Sequence, residues 1–262
     1  MKTTSALSLI LAAIALPVLA QTGDPLAPKP GSATAVISGS IPRTADGKPD
    51  FTGVWDHPYV PDMARTTKNG PLMSQQGPGT LPFTPAAKAA FDKYDPHTDG
   101  DYTGACLPFG YLRSFNAPYP IEILQTPKKI AFLFEQNTWF HVATLDRDHP
   151  KDVYPTWFGD SVAKWDGDTL VIDTVGFNGK TRLDTVGHPH SDALHVVQRL
   201  TRLDAQRLRM EITVEDPKTY TEPWKNTRVF ALMKPGSDLM EYSCEENNRD
   251  FTQGHIKRPA GD

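Results

Sequence analysis

The chain has 262 residues, 22% of them charged, and a formal net charge of −4. That balance gives no basic footprint for nucleic acid or for anionic lipid, and no block of like charge reads as an interaction tail. The length suits one sizeable domain, and all-β domains of this size are common.

The first 20 residues read as a secretory leader. Lys2 is a short basic start, Ala6 to Leu19 is apolar, and Val18-Leu19-Ala20 fits the small-residue cleavage rule. The apolar run is shorter than the ~20 residues a membrane span needs. The mature chain is therefore expected to start at Gln21, to lie in the periplasm or outside the cell, and to have no stable membrane insertion. Residues 21–50, with Pro25, Pro28, Pro30, Gly31 and Pro42, read as an extended arm. Residues 51–262 are expected to form a single domain.

Phe51 to Trp55 reads as a short strand, and residues 61–82 as a long excursion after it. Thr84-Pro85 followed by Ala86-Ala87-Lys88-Ala89-Ala90 is an N-cap, a first-turn proline and good helix formers, which predicts one helix. The remainder reads as strands. Lys129 to Ala143 turns at Gln136-Asn137. Val162 to Trp165 and Thr169 to Thr174 flank Asp166-Gly167, a hairpin signal. Leu194 to Thr201 and Arg207 to Val214 alternate apolar with polar. Thr227 to Met233 and Leu239 to Cys244 are expected as a last hairpin around Lys234–Asp238. Successive hairpins imply an antiparallel meander. Closure into a barrel is the simplest way to remove its exposed edges. The expected fold is mainly β, a lipocalin-like barrel with one peripheral helix.

The two cysteines, Cys106 and Cys244, are expected to form one disulfide in an oxidising compartment, two buried thiols being the alternative. Such a bond contributes typically ~2–4 kcal/mol.

Residues 184–195 concentrate groups able to move a proton or hold a metal: Asp184, His188, His190, Ser191, Asp192 and His195. His190 or His195 is the expected acid/base, oriented by Asp184, with Glu135 or Asp160 as second proton carrier. His188 and His190 flank Pro189 and are the candidate metal ligands, with Asp184 or His195 as a third. Ser191 lacks the Gly-x-Ser-x-Gly setting of a nucleophile elbow. Asp173, on the strand side of Val171 and Val175, needs a partner if buried, such as Arg199 or Arg209. Asp166 and Asp168 read as turn residues. Trp157 and Trp224 stand beside prolines in loops, as rigid pocket walls or as end plugs. With Arg113, His149 and Tyr242 they are the candidate substrate-binding residues.

Two resemblances add to this. Phe51-Thr-Gly-Val-Trp55 resembles the Gly-x-Trp first strand of lipocalin-like barrels. Cys106-Leu-Pro-Phe-Gly, Gly159-Asp-Ser, Trp165-Asp-Gly-Asp-Thr-Leu-Val-Ile-Asp-Thr-Val-Gly-Phe-Asn, Gly187-His-Pro-His-Ser and Glu215-Asp-Pro-Lys-Thr-Tyr-Thr-Glu-Pro-Trp together resemble a widespread family of secreted bacterial proteins of unassigned function. That resemblance implies no activity. Its pattern has Glu-Arg where this chain has Gln198-Arg199, and an Arg near His141.

The expected function is cofactor-independent proton-transfer chemistry of lyase, isomerase or hydrolase type on a small, partly hydrophobic molecule, aromatic or terpenoid in class. A non-catalytic small-molecule binding protein and a His/Asp metal-dependent enzyme are the alternatives. No Gly-rich or Walker motif indicates a nucleotide, no other cofactor is called for, and the oligomeric state is left open.

Overall fold

The computed structural model describes residues 39–69, 72–246, 248–249, 253–254 and 257–259. The leader expected over 1–20 and most of the arm expected over 21–50 lie outside the described residues.

The strands are β1 (Gly53–Asp56), β2 (Thr67–Asn69), β3 (Met73–Gln76), β4 (Ile121–Gln125), β5 (Lys129–Phe134), β6 (Phe140–Leu145), β7 (Asp160–Asp166), β8 (Thr169–Val175), β9 (His195–Arg202), β10 (Arg207–Glu215) and β11 (Trp224–Leu232). Nine of them run β1-β4-β5-β6-β7-β8-β9-β10-β11 and close through β1–β11, where Trp55 faces Leu232 and Asp56 faces Ala231. The protein is thus a closed, mainly β barrel. The β2–β3 hairpin, inside the excursion expected over 61–82, adds to the barrel by pairing β3 with β11.

Alternation decides the faces. On β10, Leu208, Met210, Ile212 and Val214 are fully buried, whereas Arg209, Glu211 and Thr213 are half-buried on the outside. β9 repeats this with Val196, Gln198 and Leu200 inward, and β8 with Leu170, Ile172 and Thr174. Phe132, Ile123, Phe230, Trp55 and Phe115 complete the interior at 0% exposure. Side chains fill the middle of the barrel as in any close-packed core, so the two hollows described below lie outside it.

One pair departs from the meander. β6 and β7 are parallel, with Ala143 facing Ser161. Parallel neighbours need a long crossover, and residues 146–159 supply it. The β7–β8 turn is Gly167-Asp168, one residue later than expected, because Asp166 pairs with Thr169 and Gly167 takes the positive φ of 61° that glycine tolerates.

The last hairpin is corrected. Residues 239–244 form no strand. β1 and β3 already occupy the free edge of β11, so no ladder is open to a further strand. That segment crosses the barrel surface instead. It places Met240 N–H 2.9 Å from Glu135 Oε2 and joins Cys244 to Cys106 in the disulfide.

Helix α1 (Pro85–Lys93) starts as expected, with Thr84 Oγ1 accepting from Ala87 N–H. None of its residues is fully buried. A single turn, α2 (Tyr111–Ser114), carries Tyr111 and Leu112 into the core. Among the described residues no helix is long and apolar enough to cross a membrane.

Candidate functional site

The polar loop after β8 folds back on itself. Arg182 bridges Pro189, and Leu183 N–H donates to the His188 carbonyl at 2.8 Å. An antiparallel bridge at 182 and 189 places residues 181 and 190 opposite each other as the next pair. There Thr181 Oγ1 lies 2.8 Å from His190 Nε2. The other ring nitrogen, Nδ1, lies 3.0 Å from the Ser191 carbonyl. A carbonyl only accepts, so Nδ1 carries the proton and Nε2 accepts from the Thr181 hydroxyl. Ser191 is fixed in turn by Asp216, which accepts from its N–H at 2.6 Å and from its hydroxyl at 2.7 Å. Burial pushes the His190 imidazole below its usual pKa of 6.5, so the ring is neutral at neutral pH.

Thr181 and His190 line a cavity of about 370 Å³ with Asp99, Asp101, Tyr102, Lys180, Arg182 and Pro259. Its walls carry both signs of charge. Asp101 is ion-paired to Arg113 at 2.6 Å, and its carboxyl lies below the ordinary range although burial opposes that: the Arg113 guanidinium and the Thr103 donors outweigh the desolvation. Arg182 lies over the Tyr94 ring at 4.2 Å and Lys180 over Tyr102 at 5.8 Å. Trp157 meets the edge of Tyr102 at 5.1 Å. Of the sequence-derived candidates, His190, Arg113 and Trp157 therefore converge on this cavity, directly or through one neighbour. Thr181, Asp101 and Asp216 were not singled out from sequence. Thr181 was findable only through the 182–189 pairing, which no local motif announces.

Asp184 does not orient His190 or His195. It is fully buried. Oδ2 accepts from Met63 N–H at 2.8 Å and from His188 Nδ1–H at 2.6 Å, and Oδ1 accepts from His188 N–H at 3.1 Å. His188 stacks on Phe91 of α1 at 4.7 Å. His188 and His190, the expected metal ligands, have different partners: Asp184 for His188, Thr181 and the Ser191 carbonyl for His190. The acidic groups gathered near His188 are Asp62 and Asp184, with one atom from each of the three residues within 4.8 Å of the others. Three N–H donors already occupy the Asp184 oxygens.

Glu135 is buried beneath the C-terminal segment, held by Met240 N–H, rather than lining a hollow. Tyr242 meets Tyr119 edge-on at the same segment. Trp224 lines a separate groove of about 580 Å³ with Pro78, Leu81, Pro82 and Pro223.

Asp160, His149 and His195 meet on the outer wall. His149 lies between Asp160 and Asp173, and His195 between Asp173 and Glu215. Asp173 thus takes two histidines as partners rather than Arg199 or Arg209, because Arg199 pairs with Asp166 and Arg209 with Glu211.

Inside the barrel, Tyr111, His141, Ser161, Thr174 and Gln198 form a sealed polar cluster. Tyr111 donates to Gln198 Oε1. His141 Nε2 and Thr174 Oγ1 each lie 2.6 Å from Ser161 Oγ. Burial pushes His141 down to about 4. His141 and Gln198 both touch Tyr111.

Comparison with known proteins finds no matching family model and no matching curated protein.

Proposed function

We propose that the protein is a cofactor-independent acid–base enzyme of the periplasm or extracellular space, and that its site is the cavity at Thr181 and His190. One observation carries the reading. A buried, neutral imidazole, held in a single tautomer, is among the residues that line the cavity. A base, a group that orients it and a hollow for a reacting atom are the parts proton-transfer chemistry needs. Thr181 masks the lone pair until substrate displaces its hydroxyl. Lys180 and Arg182 favour a small molecule bearing an anionic group, and the Tyr102 ring favours an aromatic or other apolar body beside it. The reaction class is lyase, isomerase or hydrolase. The Cys106–Cys244 disulfide supports an oxidising compartment.

The test is a panel of small aromatic and terpenoid carboxylates and esters incubated with the protein in D2O, followed by mass spectrometry for deuterium uptake or product. The wild type is expected to convert at least one class, and His190→Gln to lower its rate ~10²–10⁴-fold. Equal conversion by the variant contradicts the reading. Binding without conversion across the panel favours the carrier instead.

A further inference from the structure

The outer wall of the barrel is not uniform. On β9 and β10 the outward positions are mostly charged or polar, and Arg199 is met by Asp166 and Arg209 by Glu211. On β4, β5 and β6 the same strand parity turns apolar side chains outward. Register arranges them in rows. Glu122, Leu133 and Phe140 form one row, Leu124, Ala131 and Val142 the next, and Lys129 with Thr144 the third. Phe140 is 66% exposed and Leu124 42%, and Ala131, Leu133 and Val142 are half-buried. Five outward apolar side chains on three adjacent strands make a continuous patch, and on a soluble surface such a patch marks a contact. On the β7 side it stops at Asp160, which is ion-paired to Arg147 and His149.

The charges at its two ends decide what fits. Glu122 stands in the first row and Lys129 in the third, about 14 Å apart by strand geometry. Neither side chain has a hydrogen-bond or ion-pair partner among the described residues. Lys128, exposed in the adjoining turn, adds to the basic end. An acidic end and a basic end on either side of an apolar middle make a self-complementary surface, the requirement for a contact between identical faces.

We propose that this face is where two copies of the chain meet in a weak symmetric dimer. A two-fold axis in the plane of the contact, crossing the strands at the Leu124–Ala131–Val142 row, exchanges the outer rows. Each Glu122 then lies one strand spacing, ~4.8 Å, to the side of the partner's Lys129, and the two long side chains span the gap between the facing walls. The same operation sets Phe140 over the partner's Thr144 and brings Leu124 and Val142 against their own copies. Because the contact is isologous, it closes at two copies and leaves no free patch to extend a filament. A convex wall three strands wide buries less than the ~800 Å² per partner of a standard interface, which keeps the association weak. None of these residues lines the His190 cavity, so the dimer does not depend on the proposed activity.

The test is sedimentation velocity of the full chain over a series from about 1 μM to 1 mM, the range that brackets a weak dissociation constant. The weight-average sedimentation coefficient of the wild type is expected to rise from the monomer value toward the dimer value. Phe140→Asp stays monomeric throughout. Glu122→Lys and Lys129→Glu each weaken the association about tenfold or more by setting like charges together, and the double variant carrying both recovers it. Thr213→Asp, on the outer face of β10, associates as the wild type does. Melting curves confirm that every variant keeps the barrel. The proposal is overturned if the wild type is monomeric across the series, if Phe140→Asp still associates, or if the double variant fails to recover what the single variants lose. A monomer that co-sediments with phosphatidylethanolamine–phosphatidylglycerol vesicles also overturns it and assigns the face to a lipid surface.

Discussion

Thr181 and His190 face each other across the closed loop of residues 182–189, hydroxyl to imidazole at 2.8 Å. The contact exists because Gly110 leaves room for it. A Cβ built at Gly110 falls 2.3 Å from Thr181 Oγ1, and Gly110 has a φ of +86°. Gly110→Ala is therefore expected to displace Thr181, to strain the backbone by about 1–2 kcal/mol, and to lower turnover together with His190→Gln. Unchanged melting temperature and activity in Gly110→Ala would show that the pair is not held as described.

The buried histidines set the acid limb of stability. Burial, the largest cause, pushes His57 and His141 from 6.5 down to about 4. The unfolded chain takes up these protons below its ordinary value, whereas the folded chain resists until about 4. Their contribution is thus present above 6.5 and is lost as pH falls from there toward 4. His190 acts with the same sign. His195 acts oppositely: hydrogen bonding to Asp173 raises its pKa, so its contribution is present below 6.5 and fades as pH rises through the raised value. Urea midpoints across this range are expected to fall on acidification, and His141→Gln to flatten the fall. A variant with the wild-type slope would remove His141 from the explanation.

Tyr111→Phe tests the sealed cluster. It leaves Gln198 Oε1, which accepts from the Tyr111 hydroxyl, without its donor. A buried acceptor stranded in this way costs about 1–3 kcal/mol. The expected readout is a lower denaturant midpoint with an unchanged slope. A midpoint equal to the wild type would show that the hydroxyl is not integral to the core.

The Cys106–Cys244 bond spans 138 residues. It anchors the C-terminal segment, whose Lys257 carbonyl accepts from Asp101 N–H at 2.6 Å and whose Pro259 lines the His190 cavity. Replacing both cysteines by Ala is expected to lower stability by about 2–5 kcal/mol and to weaken substrate binding more than it slows turnover of bound substrate. A variant with the wild-type melting temperature would contradict the first expectation, and an unaltered KM the second.

The barrel was legible where alternation is strict. On β9 and β10 the inward and outward sets follow directly from the period of two, and Asp-Gly-Asp marks the β7–β8 hairpin. The parallel β6–β7 pair was not, because the 146–159 crossover has neither strand nor helix periodicity. Residues 239–244 misled because the edge they would pair with is taken by β1 and β3, a tertiary fact invisible locally. The same divide holds for the site. The density of polar groups marked residues 184–195, but partnership depended on how the loop closes. Asp184 turned to His188 and to the Met63 backbone, leaving His190 to Thr181 and Ser191. His195, at the start of β9, points outward by strand parity, so it joined Asp173 and Glu215 on the wall.

The most direct test of the central claim is a long-range nitrogen-15 NMR titration of the His190 side chain. The account predicts a proton on Nδ1, a bare Nε2 at neutral pH, and a pKa below 6.5. A proton on Nε2, or a ring that is already charged at neutral pH, would contradict it, because the nitrogen beside Thr181 would then not be a free base.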